Sequence, residues 1–293
     1  MTVPELLPIY GGQAVLEGVM MRGRQNMAVA VRAPDGGIQL LVEPLGSLYT
    51  GPLAKVPFLR GLLGLWDARG LGFKALTFSG NVAGGADEKL EGPALWGTLA
   101  LSLAFAVGLF FLLPAAAGQA SERWWGLSAW AGNALEGVLR LILLVGYIGG
   151  IGAVPEIRRL FGYHGAEHKT INAFEAGAEL TPEVVDGFSL EHPRCGTAFL
   201  LTVVLFSILL FSLLGPLPLL WRLASRVLLV PVLAGLAFEY VRFTARHLGN
   251  PLVRALIAPN LALQRLTTRP PDRAMLEVAI AAFQQMRQRE IVL

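Results

Sequence analysis

Charged residues are scarce in this sequence, histidine is rare and cysteine occurs once. Of 293 residues, 15% are Asp, Glu, Lys or Arg, against about 25% in an ordinary soluble domain. So little charge, with 54% hydrophobic residues and a mean hydropathy of +0.56, argues against a wholly soluble chain and directs the search to membrane spans. The single cysteine excludes an internal disulfide and leaves the redox compartment open. The opening "MTVPELLPIYGGQ" lacks a basic start followed by an apolar core, so no signal peptide is expected. Neither end carries a lipidation motif. Internal repeats and low-complexity runs are also lacking.

What is present is four apolar stretches, at 94–118, 134–154, 197–220 and 226–241. About 20 residues rising 1.5 Å each cross the hydrocarbon layer. The first three are long enough and the fourth, with Pro231 inside, is marginal. Glu136 and Arg140 sit in the first turns of the second stretch and Glu239 near the end of the fourth, where snorkelling to the interface is expected. Twenty Lys or Arg fall on the side of the two termini and of the 155–196 connection, against three on the other side. That bias places both termini and the 155–196 loop in the cytoplasm. It also accounts for a pI near 9.2: the basic residues face anionic lipid heads, and nucleic acid is not required as a partner. Trp96, Trp124, Trp125, Trp130 and Trp221 fall near span ends, as an interfacial belt does.

The expected fold is therefore a mainly α-helical membrane protein in three parts. Residues 1–93 form a small cytoplasmic α+β unit. In it, "NMAVAVRAPDGGIQLLVEPL" reads as two strands around a turn. The following "VPFLRGLLGLWDARGLGFKALTF", broken by Arg60, Asp67, Arg69 and Lys74, reads as an amphipathic helix lying on the membrane surface. Residues 94–241 form the four-span region. Residues 242–293 form a helical tail whose last helix is capped by Asp272 and apolar along Leu276, Ala279, Ile280 and Phe283.

The residues that carry chemistry cluster in the middle connection. The chain has five His or Cys residues, and His164, His168, His192 and Cys195 lie within 32 positions. In "YHGAEHKTINAFEAG", His164 and His168 are four apart, so one helical face presents both to one ion. The order H-x-x-E-H is an inverted zincin pattern in which Glu167 would act on a metal-activated water. A zinc ion needs at least a third protein ligand, and "EHPRCG" offers His192 and Cys195. Glu175, two turns from His168, is placed to orient a ligand or to bind a second ion, and too far along the axis to share the first. The expected arrangement is a helix start whose histidines converge with His192 and Cys195 around a divalent metal, with zinc the first choice. The alternative is a solvated loop, with two surface histidines and Cys195 as a small filler.

Four motifs in order, "GGQAVLEGVMMRG", "YHGAEHKTINAFEAG", "HPRCGTAFL" and "LTTRPPDRAMLEVAI", resemble the YqhQ-like family of bacterial membrane proteins from about Tyr10 to about Ile280. That family is of unknown function and is labelled a predicted metal-dependent enzyme. The resemblance implies a multi-pass protein of the bacterial plasma membrane and the same candidate site: His164, Glu167, His168, His192 and Cys195. It adds Glu17 and Arg22 as signature positions of the first motif, read from the residues as a strand with an ion pair that holds the unit on the membrane. Three functions compete. One is a metal-dependent hydrolase of a peptide, ester or amide, with Glu167 as base. The second is a structural or regulatory protein that binds another membrane complex. The third, resting on Glu136, Arg140 and Glu239, is a transporter.

Overall fold

The computed structural model describes residues 10–46, 56–84 and 93–291. The first nine residues and the side chains of Asp67 and Arg69 lie outside that description. The chain is mainly helical, with one small antiparallel sheet. Strands β1 Gly11–Val15, β2 Gly18–Arg22, β3 Asn26–Arg32 and β4 Ile38–Pro44 are joined in the order of the chain. Helix α1 is Leu59–Ala83. Helix α2, Pro93–Val107, runs through a π-helical turn at Gly108–Leu112 into α3, Leu113–Trp125. Then come α4 Ala129–Ile151, α5 Pro155–Glu175, α6 Pro182–Val185 and α7 Gly196–Leu213. They are followed by α8 Leu219–Leu228, α9 Val230–Arg246, α10 Pro251–Thr267 and α11 Arg273–Ile291.

The strand pair around "PDGG" is β3 and β4, with Arg32 opposite Ile38 and Gly36 at φ +87° in the turn. The expectation of two strands falls short, because "GGQAVLEGVMMRG" makes a second hairpin, with Val15 opposite Gly18. Its turn residue Glu17 takes φ +51°, which glycine or asparagine usually supplies.

Both faces of the sheet are covered, and the alternation along β3 shows how. Ala28 and Ala30 point to one face with Val19 and Met21. Their small side chains let α5 and α11 lie close, burying Tyr163, Ala166, Ile171, Leu276, Ala279, Phe283 and Met286. Met27, Val29 and Val31 point to the other face and meet Leu71 and Ala75 of α1. Helix α1 is thus a connector between the sheet and the helices. At its start, Arg60 forms an ion pair with Glu239 of α9, and the Phe58 N–H donates to the same carboxylate at 3.0 Å.

The first part of the chain, the middle connection and the tail therefore share one core. Residues 1–93 expressed alone are expected to give no cooperative thermal transition, since without α5 and α11 the Val19–Met21–Ala28–Ala30 face is bare to water. A cooperative melt of that fragment would show the sheet to be self-sufficient.

Among the described residues, three helices are long and apolar enough to cross a membrane: Trp96–Trp125, Ala129–Ile151 and Gly196–Leu213. A fourth crossing exists only if α8 and α9, bent by 42° at their junction, act as one. This corrects the single stretch expected over 226–241. The chain breaks at Leu229, and Pro231 opens α9 rather than interrupting it.

A second correction concerns Glu136 and Arg140. Neither snorkels; both are buried between helices. The Glu136 carboxylate accepts from Arg140 at 2.7 Å and from Arg226 at 2.7 and 2.8 Å. Arg140 also donates to Ser207 of α7 and, through Nε, to the Phe110 carbonyl at 2.8 Å. Pro114 explains that acceptor. It lacks the N–H that would bond the carbonyl four residues earlier, which is that of Phe110. In an apolar bundle a freed carbonyl needs a donor, and the arginine supplies one.

Candidate metal centre

Helix α5 carries the "HGAEH" segment. Pro155 is pre-organised for the first turn, so the helix begins nine residues before His164. The motif lies in the helix interior, which corrects the expected helix start. Gly165 stands there despite its poor helix propensity because α5 passes the Arg269 backbone at close range. A β-carbon at 165 would collide with the Arg269 carbonyl oxygen and lie 2.8 Å from Leu190 Cδ2. Gly165→Ala is therefore expected to lower stability by about 1–3 kcal/mol, an overpacking cost larger than the gain in helix propensity, as read by thermal unfolding.

Three side chains converge at this face. Ligand atoms of His164, His168 and Cys195 lie within 4.8 Å of one another, and His164 Nε2 is 3.2 Å from Cys195 Sγ. The ring nitrogens facing away are both engaged. His164 Nδ1 lies 2.8 Å from the Thr267 carbonyl and His168 Nδ1 lies 2.5 Å from the Leu190 carbonyl. A carbonyl only accepts, so each Nδ1 carries a proton, and in the neutral ring Nε2 is the free base. His168 Nε2 is buried without a hydrogen-bond partner. Buried polar atoms are normally satisfied, so an orphan nitrogen beside an imidazole and a thiol is a candidate place for a cation. Metal-bound histidines commonly show this pattern, with the second nitrogen held by a backbone carbonyl.

Cys195 enters from the N-cap of α7, where Sγ accepts the Thr197 N–H at 3.4 Å and lies 3.2 Å from Thr197 Oγ1. Thr197 in turn bonds Thr267. Two further side chains fix the connection. Gln264 makes a paired bond with the backbone of His192, at 2.8 Å each way, and Asn172 donates to the carbonyls of Ser189 and Glu191. Sequence reasoning missed these supports. Asn172 and Thr267 were nevertheless present in two of the four quoted motifs, which was the available signal.

His192 is brought near without joining the set. Its ring centroid is 5.6 Å from that of His168, but Nε2 faces Glu175 at 3.8 Å and Arg194 at 3.4 Å. Burial, helped by Arg194, pushes the His192 imidazole down to about 4, so it is neutral. Glu175 forms an ion pair with Arg194. Burial alone would raise its carboxyl, but the neighbouring His192 and the Arg194 charge hold it below the usual range.

Glu167 lies on the sheet side of the three donors. Its carboxylate accepts the Gly12 N–H of β1. A β-carbon at Gly12 would come within 2.9 Å of the Glu167 carboxyl carbon and 2.5 Å of the Met20 carbonyl, so only glycine leaves the room. Burial pushes the carboxyl up to about 7, with His164 and the Gly12 bond drawing it part of the way back. Its Oε2 is buried without a hydrogen-bond partner. Glu17 of the same hairpin turns its carboxylate to Arg159, and Tyr163 donates to it at 3.2 Å, which ties β1 and β2 to α5. Arg22 ends β2, in register with Gly11 and Met27.

The family model described as a protein of unknown function (DUF1385) matches residues 56–289. The chain is 36% identical to the uncharacterized protein YqhQ of Bacillus subtilis (strain 168), over 95% of this chain and 92% of that protein. No solved structure matches.

Proposed function

For a chain that belongs to the DUF1385 family, whose function is unknown, we propose a membrane-embedded protein with a divalent-metal centre at the cytoplasmic mouth of α7 that hydrolyses a carbonyl or phosphoryl substrate. The observation that supports the centre is the pair of bare Nε2 atoms facing Cys195 Sγ, each histidine held by a backbone carbonyl on its other side. Two imidazoles and one sulfur suit zinc. Three protein donors leave a position for a water or a substrate oxygen, the open form that catalytic zinc sites take. When bound, the ion would supply Lewis acidity to that oxygen. Glu167 is the proton acceptor. It is held by Gly12 through its carboxylate, and its buried Oε2 is free to take the proton of an attacking water. His192, with Nε2 turned to Glu175, stays out of the ligand set and braces His168.

The apolar faces of Trp96–Trp125, Ala129–Ile151 and Gly196–Leu213 support contact with lipid, and the bias in basic residues supports both termini inside the plasma membrane. A second reading is a metal-braced scaffold that presents the cytoplasmic sheet to another membrane complex. The way α5 joins the sheet and α11 favours it.

Glu167→Gln separates the two. The hydrolase reading expects the variant to keep its metal and its melting temperature while hydrolysis of a panel of peptide, ester and phosphodiester substrates falls by at least about 100-fold, the usual share of a general base. Unchanged turnover in the variant would leave only the scaffold.

A further inference from the structure

A second cluster of charged side chains lies at the other end of α4, away from the metal centre. We propose that Arg140, Arg222 and Arg226 form a binding site for one phosphate-type oxyanion, carried by a phospholipid headgroup or free in solution. This rests on the membrane reading given above, and it is independent of the metal.

Charge is the first argument. The three guanidiniums face two carboxylates, Glu136 and Glu122, leaving one positive charge in excess. All three arginines and Glu136 are buried to 1% exposure. An uncompensated charge among apolar helices calls for a counter-ion.

Donors and acceptors give the second argument. Arg140 is satisfied by Glu136, Ser207 and the Phe110 carbonyl. Arg226 is satisfied by Glu136, Asn133 and Ser225. Arg222 donates through Nη2 to Glu122 and Asn133, at 2.7 Å each, while its Nη1 is buried without a partner. The cluster is thus short of one acceptor, at Arg222, and of one negative charge, since Arg140 and Arg226 share the single Glu136 carboxylate. One phosphate oxygen at the free Arg222 nitrogen supplies both, as a charge-assisted hydrogen bond.

Position is the third argument. Arg222 follows Trp221, which is 64% exposed. Glu122 precedes Trp124 and Trp125, which are 75% and 74% exposed, and Trp130 opens α4 at 63%. Exposed tryptophans gather at the level of lipid headgroups, which sets Arg222, next to Trp221 in the chain, close to the depth where phosphates are found. Glu122, the outermost acid of the cluster with 21% of its side chain exposed, is the group that an incoming anion competes with.

The test uses the full chain purified in detergent. It is titrated with dihexanoyl phosphatidylglycerol, with inorganic phosphate and with dihexanoylglycerol, followed by calorimetry and thermal melting. Phosphatidylglycerol is expected to bind and raise the melting temperature, and dihexanoylglycerol is expected to do neither. A response to inorganic phosphate as well would assign the site to free anions too. Arg222→Gln is expected to lose the response. Glu122→Gln, which removes the competing carboxylate, is expected to bind roughly tenfold more tightly, a change that misfolding does not mimic. No response in the native chain, an equal response to dihexanoylglycerol, or unchanged binding in both variants would overturn the proposal. If the chain is recovered in the soluble fraction without detergent, the membrane reading fails, and the phosphate titration alone decides the anion site.

Discussion

Replacing His164 and His168 together by alanine is expected to abolish metal retention and, with it, every metal-dependent gain in stability. The two histidines supply two of three converging donors, and a single sulfur does not hold a divalent ion against water. A ligand present at about 1,000 times its dissociation constant stabilises the native state by about 4 kcal/mol. The native protein should therefore melt well above its chelator-treated form, and the double variant should melt the same with or without zinc. His192→Ala is the control. Its Nε2 faces Glu175 and Arg194 rather than the three donors, so that variant should keep its ion. If the double variant retained metal as the native chain does, the ligand set would lie elsewhere.

The second large effect is expected at Glu136. Its carboxylate serves Arg140 and Arg226 directly and lies 3.8 Å from Arg222. Glu136→Ala leaves buried guanidiniums facing one another without their main counter-charge. Breaking one buried ion pair costs about 3–5 kcal/mol, and here one side chain breaks two. The variant should lose most of its folded yield, read as a fall in melting temperature in detergent. The exposed pair of Arg265 and Glu191 gives the comparison: Glu191→Ala should cost no more than about 1 kcal/mol.

These expectations differ in how far the sequence foreshadowed them. The i, i+4 spacing of His164 and His168, and the short connection to Cys195, follow from helical periodicity and chain length. Both are visible without coordinates. Which His192 nitrogen points where was not visible, because it depends on Gln264, 72 residues away, gripping the His192 backbone. Glu136 and Arg140 were read as snorkelling because they stand near a span end. Their inward direction is set by Pro114 and by Arg226, on other helices. The hairpin of "GGQAVLEGVMMRG" was hidden for a local reason. Leu16 and Glu17 are not typical turn residues, and Glu17 takes its positive φ where Arg159 and Tyr163 hold its side chain. The "PDGG" hairpin carries its own turn chemistry and was legible.

The role of Gly12 emerges from the same contacts. It makes space for Glu167 and gives it a backbone N–H, so the first motif acts on the residue proposed as base. The N-terminal hairpin and the "HGAEH" helix also share a buried core.

The most direct test of the metal centre is the metal content of the native chain, purified without a metal-affinity tag and measured by mass spectrometry of the elements. The account predicts about one zinc or similar divalent ion per chain, removed by a strong chelator and restored by titration. A folded, monodisperse chain that carries no such ion, and takes up neither zinc nor cobalt when they are offered, would contradict it.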